Sequence, residues 1–376
     1  MTRYKLIYPN NYLYIGILLL ILKSIIPFSA VIPDIPLVDS VLQYSATLLL
    51  VISITKKRYS FRTFMLYLML TIVSVYCCLQ VHEWGMLITV ITVLAIRDEN
   101  FDKIIRFIYQ YEMVIFIMHV ILSILFLPIT NVLSGVYKGE HALVFGFAHK
   151  NSFSIILFNL IIMWFWLNYE KVSRKKASYI VILGCILFYL ANTRTAIAVL
   201  LVFYILFVKA SKHGYSKVLE IVSMGIFPAL SFMWFAAIKH YSTGYYLLRK
   251  VNSILSDRLV MAAYYYNEVG FSLFGQNVND IRAVGDPVYN LSGSLTFDST
   301  YSYLLISRGI VFIILCSTIF VLLSRKKSNK INIFIIVWAL YSITEAVGLN
   351  CFLSFPIMMS VFLFDRNKSG NIKAWG

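Results

Sequence analysis

The stretch FYLANTRTAIAVLL, Phe188 to Leu201, decides how the chain is laid out. Apolar runs lie on both sides of a short polar break, and Arg194 stands in that break with no acid nearby. Charge beside a membrane is common, so its meaning depends on which side of the membrane it occupies. That a membrane is involved follows from composition. The chain has 376 residues, is 60% hydrophobic and 13% charged, and has a mean hydropathy of +0.79. A soluble domain of this size cannot hide so much apolar surface.

Working outward from Phe188, twelve apolar segments approach the roughly 20 residues needed to cross a bilayer. They span about 11–30, 37–54, 63–79, 84–96, 107–129, 152–169, 178–191, 196–210, 218–238, 299–323, 331–346 and 350–364. The expected fold is an all-α polytopic integral membrane protein, a single transmembrane domain over 1–376. The first run, Tyr12 to Ala30, lacks a small-residue cleavage site and reads as a span rather than a signal peptide. The five cysteines lie in or at the ends of apolar runs without a CxxC pair, and read as small core hydrophobes. No Gly-rich phosphate loop, His/Cys metal cluster or G-x-S-x-G elbow is present, so neither a metal nor another cofactor is expected.

The net charge of +16 would suggest nucleic acid in a soluble protein, but here it follows the positive-inside rule, and no nucleic-acid partner is expected. The clusters at 56–62, 97–106, 171–176, 209–217 and 324–330, with both termini, hold 23 of the 33 Lys and Arg. All fall on one side of the twelve segments. That asymmetry predicts cytoplasmic N- and C-termini and puts Arg194 on the outer side, where orientation does not call for a cation. A snorkelling Arg at a helix end is the structural alternative to a functional one.

The outer side also holds the longest loop, 239–298, with helical spacing near 245–266 that fits an interfacial helix lying on the membrane. Lys23, Glu112, Arg308 and Glu345 fall within predicted spans, where charge usually faces a cavity or a partner. Arg308 is about 10 Å into its span at 1.5 Å per residue. Cations such as Arg194 and Arg308 at the outer leaflet suit an anionic ligand, and a lipid-linked pyrophosphate fits the bidentate grip of Arg. Outer-loop aromatics suit sugar stacking and an interfacial belt equally well.

Four motifs carry a family resemblance. GFAHKNSFSIILFNLIIMW (146–164), NTRTAIAVLL (192–201), SDRLVMAAYYYNEVGFSLFGQN (256–277) and LTFDSTYSYLLISRGIVFIIL (295–315) resemble, in order and spacing, elements of Wzy-type polysaccharide polymerases. Those enzymes act in capsule and exopolysaccharide biosynthesis. The wider O-antigen ligase-like superfamily opens the last motif with a His, where this chain has Asp298, and that departure favours polymerase over ligase.

The resemblance implies a GT-C-like fold in the plasma membrane of a bacterium. It also implies a metal-independent glycosyltransferase that joins undecaprenyl-pyrophosphate-linked oligosaccharide repeats at the outer leaflet. Beyond that donor and membrane lipids, it implies flippase and chain-length regulator proteins as partners. Arg194 and Arg258 match the family's arginines and, with Arg308, are the expected pyrophosphate ligands. His149 and Asp298 are the candidate catalytic bases. Each has a structural alternative: a helix-start His bonded to backbone, and an Asp that caps its helix. Asn151 and Tyr301 are the candidate substrate-binding residues, though they also suit capping and anchoring. A ligase, a twelve-span flippase or transporter, and a membrane scaffold remain alternatives, although no internal repeat supports a transporter.

Overall fold

A helix starts where a short polar side chain can hold its first free amides, and this chain supplies such residues repeatedly. Ser60, Asn100, Ser173, Ser216 and Ser328 each accept a backbone N–H from the third residue on. The computed structural model describes residues 10–33, 35–127, 142–211, 214–241, 246–286, 291–294 and 297–364.

Its helices are α1 (Asn11–Ile25), α2 (Pro36–Thr55), α3 (Phe61–Val81), α4 (Gly85–Ile96), α5 (Phe101–Phe126), α6 (Lys150–Asn168), α7 (Arg174–Leu190), α8 (Arg194–Ala210) and α9 (Lys217–His240). There follow α10 (Tyr246–Ile254), α11 (Arg258–Val269), a hairpin of β1 (Arg282–Asp286) and β2 (Leu291–Ser294), α12 (Thr300–Ser302), α13 (Ile310–Ser324) and α14 (Asn329–Tyr341). Two 3-10 segments, Ala346–Leu349 and Phe355–Leu363, complete it.

Among the described residues, six helices are long and apolar enough to cross a membrane: α1, α2, α3, α5, α6 and α9. Apolar side chains such as Leu48, Ile72, Ile124 and Leu183 point away from the protein, as lipid-facing residues would. Helix α6 is the most enclosed of the six, and Phe165 in it packs edge-on against Phe203 and Phe207 of α8. A buried polar clamp ties α6 to α5 and to the C-terminal segment. Asn159 donates to the Glu112 carboxylate and to the Phe352 carbonyl, and its Oδ1 accepts from the Phe355 amide.

Four predicted segments come out differently. The span expected over 350–364 is not an α-helix: its first residues form turns, and the rest is the 3-10 stretch Phe355–Leu363, buried in the protein. The span expected over 299–323 is broken. Helix α12 passes into a π-helical turn, Tyr303–Arg308, which ends at Gly309 with φ +95°. The break is closed by the segment after α11: Ser272 and Leu273 carbonyls accept the amides of Ile310 and Val311, and the Gln276 amide donates to Ser307. Irregular backbone at membrane depth needs such protein partners. The span expected to end at 346 stops at Tyr341, and Glu345 lies in the non-helical segment beyond it. The single interfacial helix expected over 245–266 is instead α10 and α11, parted where Ser256 and Asp257 take positive φ. Helix α11 buries Leu259, Val260, Ala262 and Ala263 in the protein, whereas α10 leaves Tyr246, Leu247 and Ile254 exposed. Membrane-surface docking therefore fits only α10.

Gly309 tests the broken span. A Cβ there would press on the Leu273 carbonyl and lie 2.6 Å from the Gly275 nitrogen, in addition to the positive φ. Gly270 also has positive φ (+71°), but a Cβ there meets nothing within 4 Å. Gly270→Ala should cost about 1–3 kcal/mol of backbone strain, and Gly309→Ala distinctly more. Thermal unfolding of both variants in detergent checks this, and equal midpoints would contradict it.

Candidate functional site

The loop that presents His149 is built by a glycine. Gly146 has φ +76°, and a Cβ there would collide with Ser123 of α5. With that close approach the segment pairs with the end of α1: the Ala30 amide donates to Gly146 and the Ala148 amide to Phe28, at 2.8 Å each. Phe147 packs on the His119 ring of α5 at 4.2 Å, and the His119 Nδ1 lies 3.3 Å from Ser29 Oγ. His149 then caps α6, its Nδ1 accepting the Asn151 amide at 3.1 Å. The structural alternative for His149 is thus realised, and it has a chemical consequence. A neutral imidazole whose Nδ1 is an acceptor carries its proton on Nε2. It presents a donor, not a basic lone pair, at Nε2.

Ser299, not Asp298, supplies the capping oxygen for the helix that follows Asp298, accepting the Tyr301 amide at 3.2 Å. The cap expected of Asp298 is therefore made one residue later. Arg258 begins α11, and its guanidinium reaches across to the segment after α14. Its Nε donates to the Thr344 carbonyl and an Nη to the Leu255 carbonyl, each at 3.1 Å. His149 lies in the electrostatic range of both Asp298 and Arg258, and the carboxyl of Glu345 in that of Arg258 and Asp298. Main-chain bonds hold Glu345 in place: its carbonyl accepts the Thr300 amide at 3.1 Å and the Thr300 hydroxyl at 2.5 Å. Four chain-distant segments thus bring His149, Arg258, Asp298 and Glu345 to one end of the bundle.

Arg194 opens α8 and is exposed at the start of that helix. Its neighbour Thr193 accepts from Ser154 in the first turn of α6 at 2.8 Å, so the NTRT turn is seated beside the helix that His149 caps. Arg308 is elsewhere. It is 2% exposed and ion-paired to Glu83 in the α3–α4 turn, with Tyr303 bonded to both. Its charge is neutralised within the protein, and it does not join Arg258. Tyr301 is fully buried and donates its hydroxyl to the Ala339 carbonyl at 2.8 Å, an anchor between α12 and α14. The Asn151 side chain is half-buried beside the His149 cap.

Sequence reading missed Glu83, Thr344 and the proximity of Glu345 to Arg258. A basic residue in the apolar run around Arg308 was a signal that a carboxylate must approach it, but nothing in the sequence says which. No protein-family model, curated protein or solved structure matches the chain. No group of three or more His, Cys, Asp or Glu suited to a metal occurs among the described residues.

Burial around the His149 ring lowers its pKa; Asp298 raises it, and Lys150 and Arg258 lower it. The folded value therefore lies below that of the unfolded chain, near 6.5. A depressed pKa contributes stability that is present above about pH 6.5 and is lost as pH falls through the folded value. Protonation also abolishes the Nδ1 acceptor and with it the cap. His149→Asn keeps a capping oxygen but does not titrate. The thermal midpoint of the wild type should therefore fall more steeply below about pH 6.5 than that of His149→Asn. Parallel pH profiles would contradict the assignment.

Proposed function

We propose that this protein is a polysaccharide polymerase of the Wzy type, embedded in a bacterial plasma membrane. In this reading it transfers a growing glycan from undecaprenyl pyrophosphate to the next lipid-linked repeat, at the outer leaflet. The observation that carries the reading is the proximity of His149, Arg258 and Asp298, with Arg194 next to the Thr193 turn that is bonded to α6. These residues come from three of the four motifs that resemble the family, and from the turn of the fourth. The twelve-span layout, the GT-C-like fold and cytoplasmic termini belong to the same proposal. The loop-by-loop distribution of basic residues supports it.

The chemistry follows from the roles each group can fill. The acceptor hydroxyl oxygen bonds to the anomeric carbon of the donor as the bond from that carbon to the pyrophosphate oxygen breaks. Negative charge grows on the leaving pyrophosphate, and Arg258 and Arg194 stabilise it. Arg258 is pre-oriented by the Thr344 and Leu255 carbonyls, so little side-chain freedom is lost on binding. The acceptor proton goes to Asp298. His149 does not compete for that proton, because its Nδ1 lone pair is engaged by the Asn151 amide. Its Nε2–H instead donates to a substrate oxygen or to a carboxylate.

Two variants separate these roles. Asp298→Asn removes the base and leaves the Ser299 cap intact, so the rate of polymer formation should fall by about 10²–10⁴, at normal expression. Arg194→Lys keeps a charge but loses the planar fork, and should leave mostly single repeats. Polymer of full length in cells carrying either variant would remove the corresponding role. Deleting the protein should strand single lipid-linked repeats on the outer face. Accumulation on the inner face would point to a flippase instead.

A further inference from the structure

Beside the His149–Arg258–Asp298 cluster lies a cavity of about 480 Å³, within the range of about 300–1,000 Å³ usual for small-molecule sites. Residues flanking the cluster wall it: Phe297 precedes Asp298, and Ala346 follows Glu345. We infer that this cavity binds uncharged sugar rings, the glycan portion of the substrate rather than its pyrophosphate. That these rings belong to the acceptor rests on the polymerase reading; that they are sugars rests on the cavity itself.

Charge is the first argument. The lining contains one cation and one anion, Arg308 and Glu83, and they are paired with each other. The cavity continues into a smaller one of about 170 Å³, sharing Phe28, Gly85, Asn350 and Leu353 with it. Its one cation, Lys23, is likewise paired, with Asp39 at 3.2 Å. A pyrophosphate would have to compete with both carboxylates, whereas a neutral ligand would not.

Hydrogen bonding is the second. The Arg308 guanidinium and the Tyr303 hydroxyl both bond Glu83 through Oε2, which leaves Oε1 without a partner among the described residues. The Glu83 side chain is 37% exposed, so Oε1 can accept a sugar hydroxyl. The amide side chains of Asn279 and Asn350 line the same space. The third argument is surface. Tyr265 and Phe297 are stacked, with ring centroids 4.4 Å apart, and both line the cavity together with Tyr303. Aromatic faces next to amides and a carboxylate match the alternation of C–H faces and hydroxyl edges on a sugar ring. No single stretch of sequence marks this wall, because it is assembled from α11 and the segment before α12.

The test is equilibrium binding to the full-length protein in nanodiscs, read by saturation-transfer NMR. The probes are maltose, lactose, cellobiose and diacetylchitobiose, with inorganic pyrophosphate as competitor. The wild type should take up at least one disaccharide. Asn279→Ala, at an exposed position, should weaken that binding about five-fold, the effect of one lost hydrogen bond. Arg258→Lys should leave it unchanged. Glu83→Gln leaves Arg308 uncompensated, so pyrophosphate should displace the disaccharide from this variant at concentrations that leave it bound to the wild type. No transfer to any disaccharide, or binding indifferent to Asn279→Ala but lost in Arg258→Lys, would overturn the inference. The assay contains no lipid-linked donor and no turnover, so sugar binding can stand while polymerisation fails, and the reverse.

Discussion

In a membrane every backbone amide and carbonyl must find its partner inside the protein, and this constraint shapes the rest of the structure. Regular helices satisfy it by themselves. Two irregular stretches among the described residues, around Gly309 and between Tyr341 and Phe355, need distant residues as well as local bonds. Ser272, Leu273 and Gln276 close the first. Asn159, Thr89 and Trp338 close the second, through the Phe352 and Phe355 main chain and the Leu349 and Gly348 carbonyls. Where helices stop early, side chains and cavities gain room. Thr344, Glu345, Ala346 and Asn350 all belong to the second stretch.

The same breaks separate two kinds of charge. Arg258 is held on the Thr344 carbonyl just past the end of α14, within electrostatic range of His149 and Glu345. Arg308, held by the π-turn, is turned toward the α3–α4 loop and paired with Glu83. One arginine thus stands in a cluster with titratable groups, and the other is neutralised in the wall of a cavity. In the reading proposed, the first meets the leaving pyrophosphate and the second lies in the wall that meets sugar, so that the two breaks together position donor and acceptor.

Much of this was legible in the sequence. Hydropathy located the helices, since their apolar lengths are a direct consequence of bilayer thickness. The GFAHKN stretch, 146–151, marked His149, while the positive φ of Gly146 that presents it is seen only in the structure. Other features were not legible for physical reasons. Asp298 and Ser299 are both good caps, and only three-dimensional geometry chooses Ser299. An arginine in an apolar run announces a partner without naming it, and Glu83 is 225 residues away. The helix pattern over 245–266 hid a break, because left-handed Ser256 and Asp257 have no obligatory sequence mark. The early end of α14 was masked by the apolar residues that continue past it.

The most direct measurement of the central claim is reconstitution. Purified protein in proteoliposomes is supplied with a single defined undecaprenyl-pyrophosphate-linked repeat, and the products are sized by gel. The account predicts a ladder of glycans that differ by one repeat, together with released undecaprenyl pyrophosphate. Unchanged single repeats, under conditions where the protein is folded and binds the lipid, would contradict it.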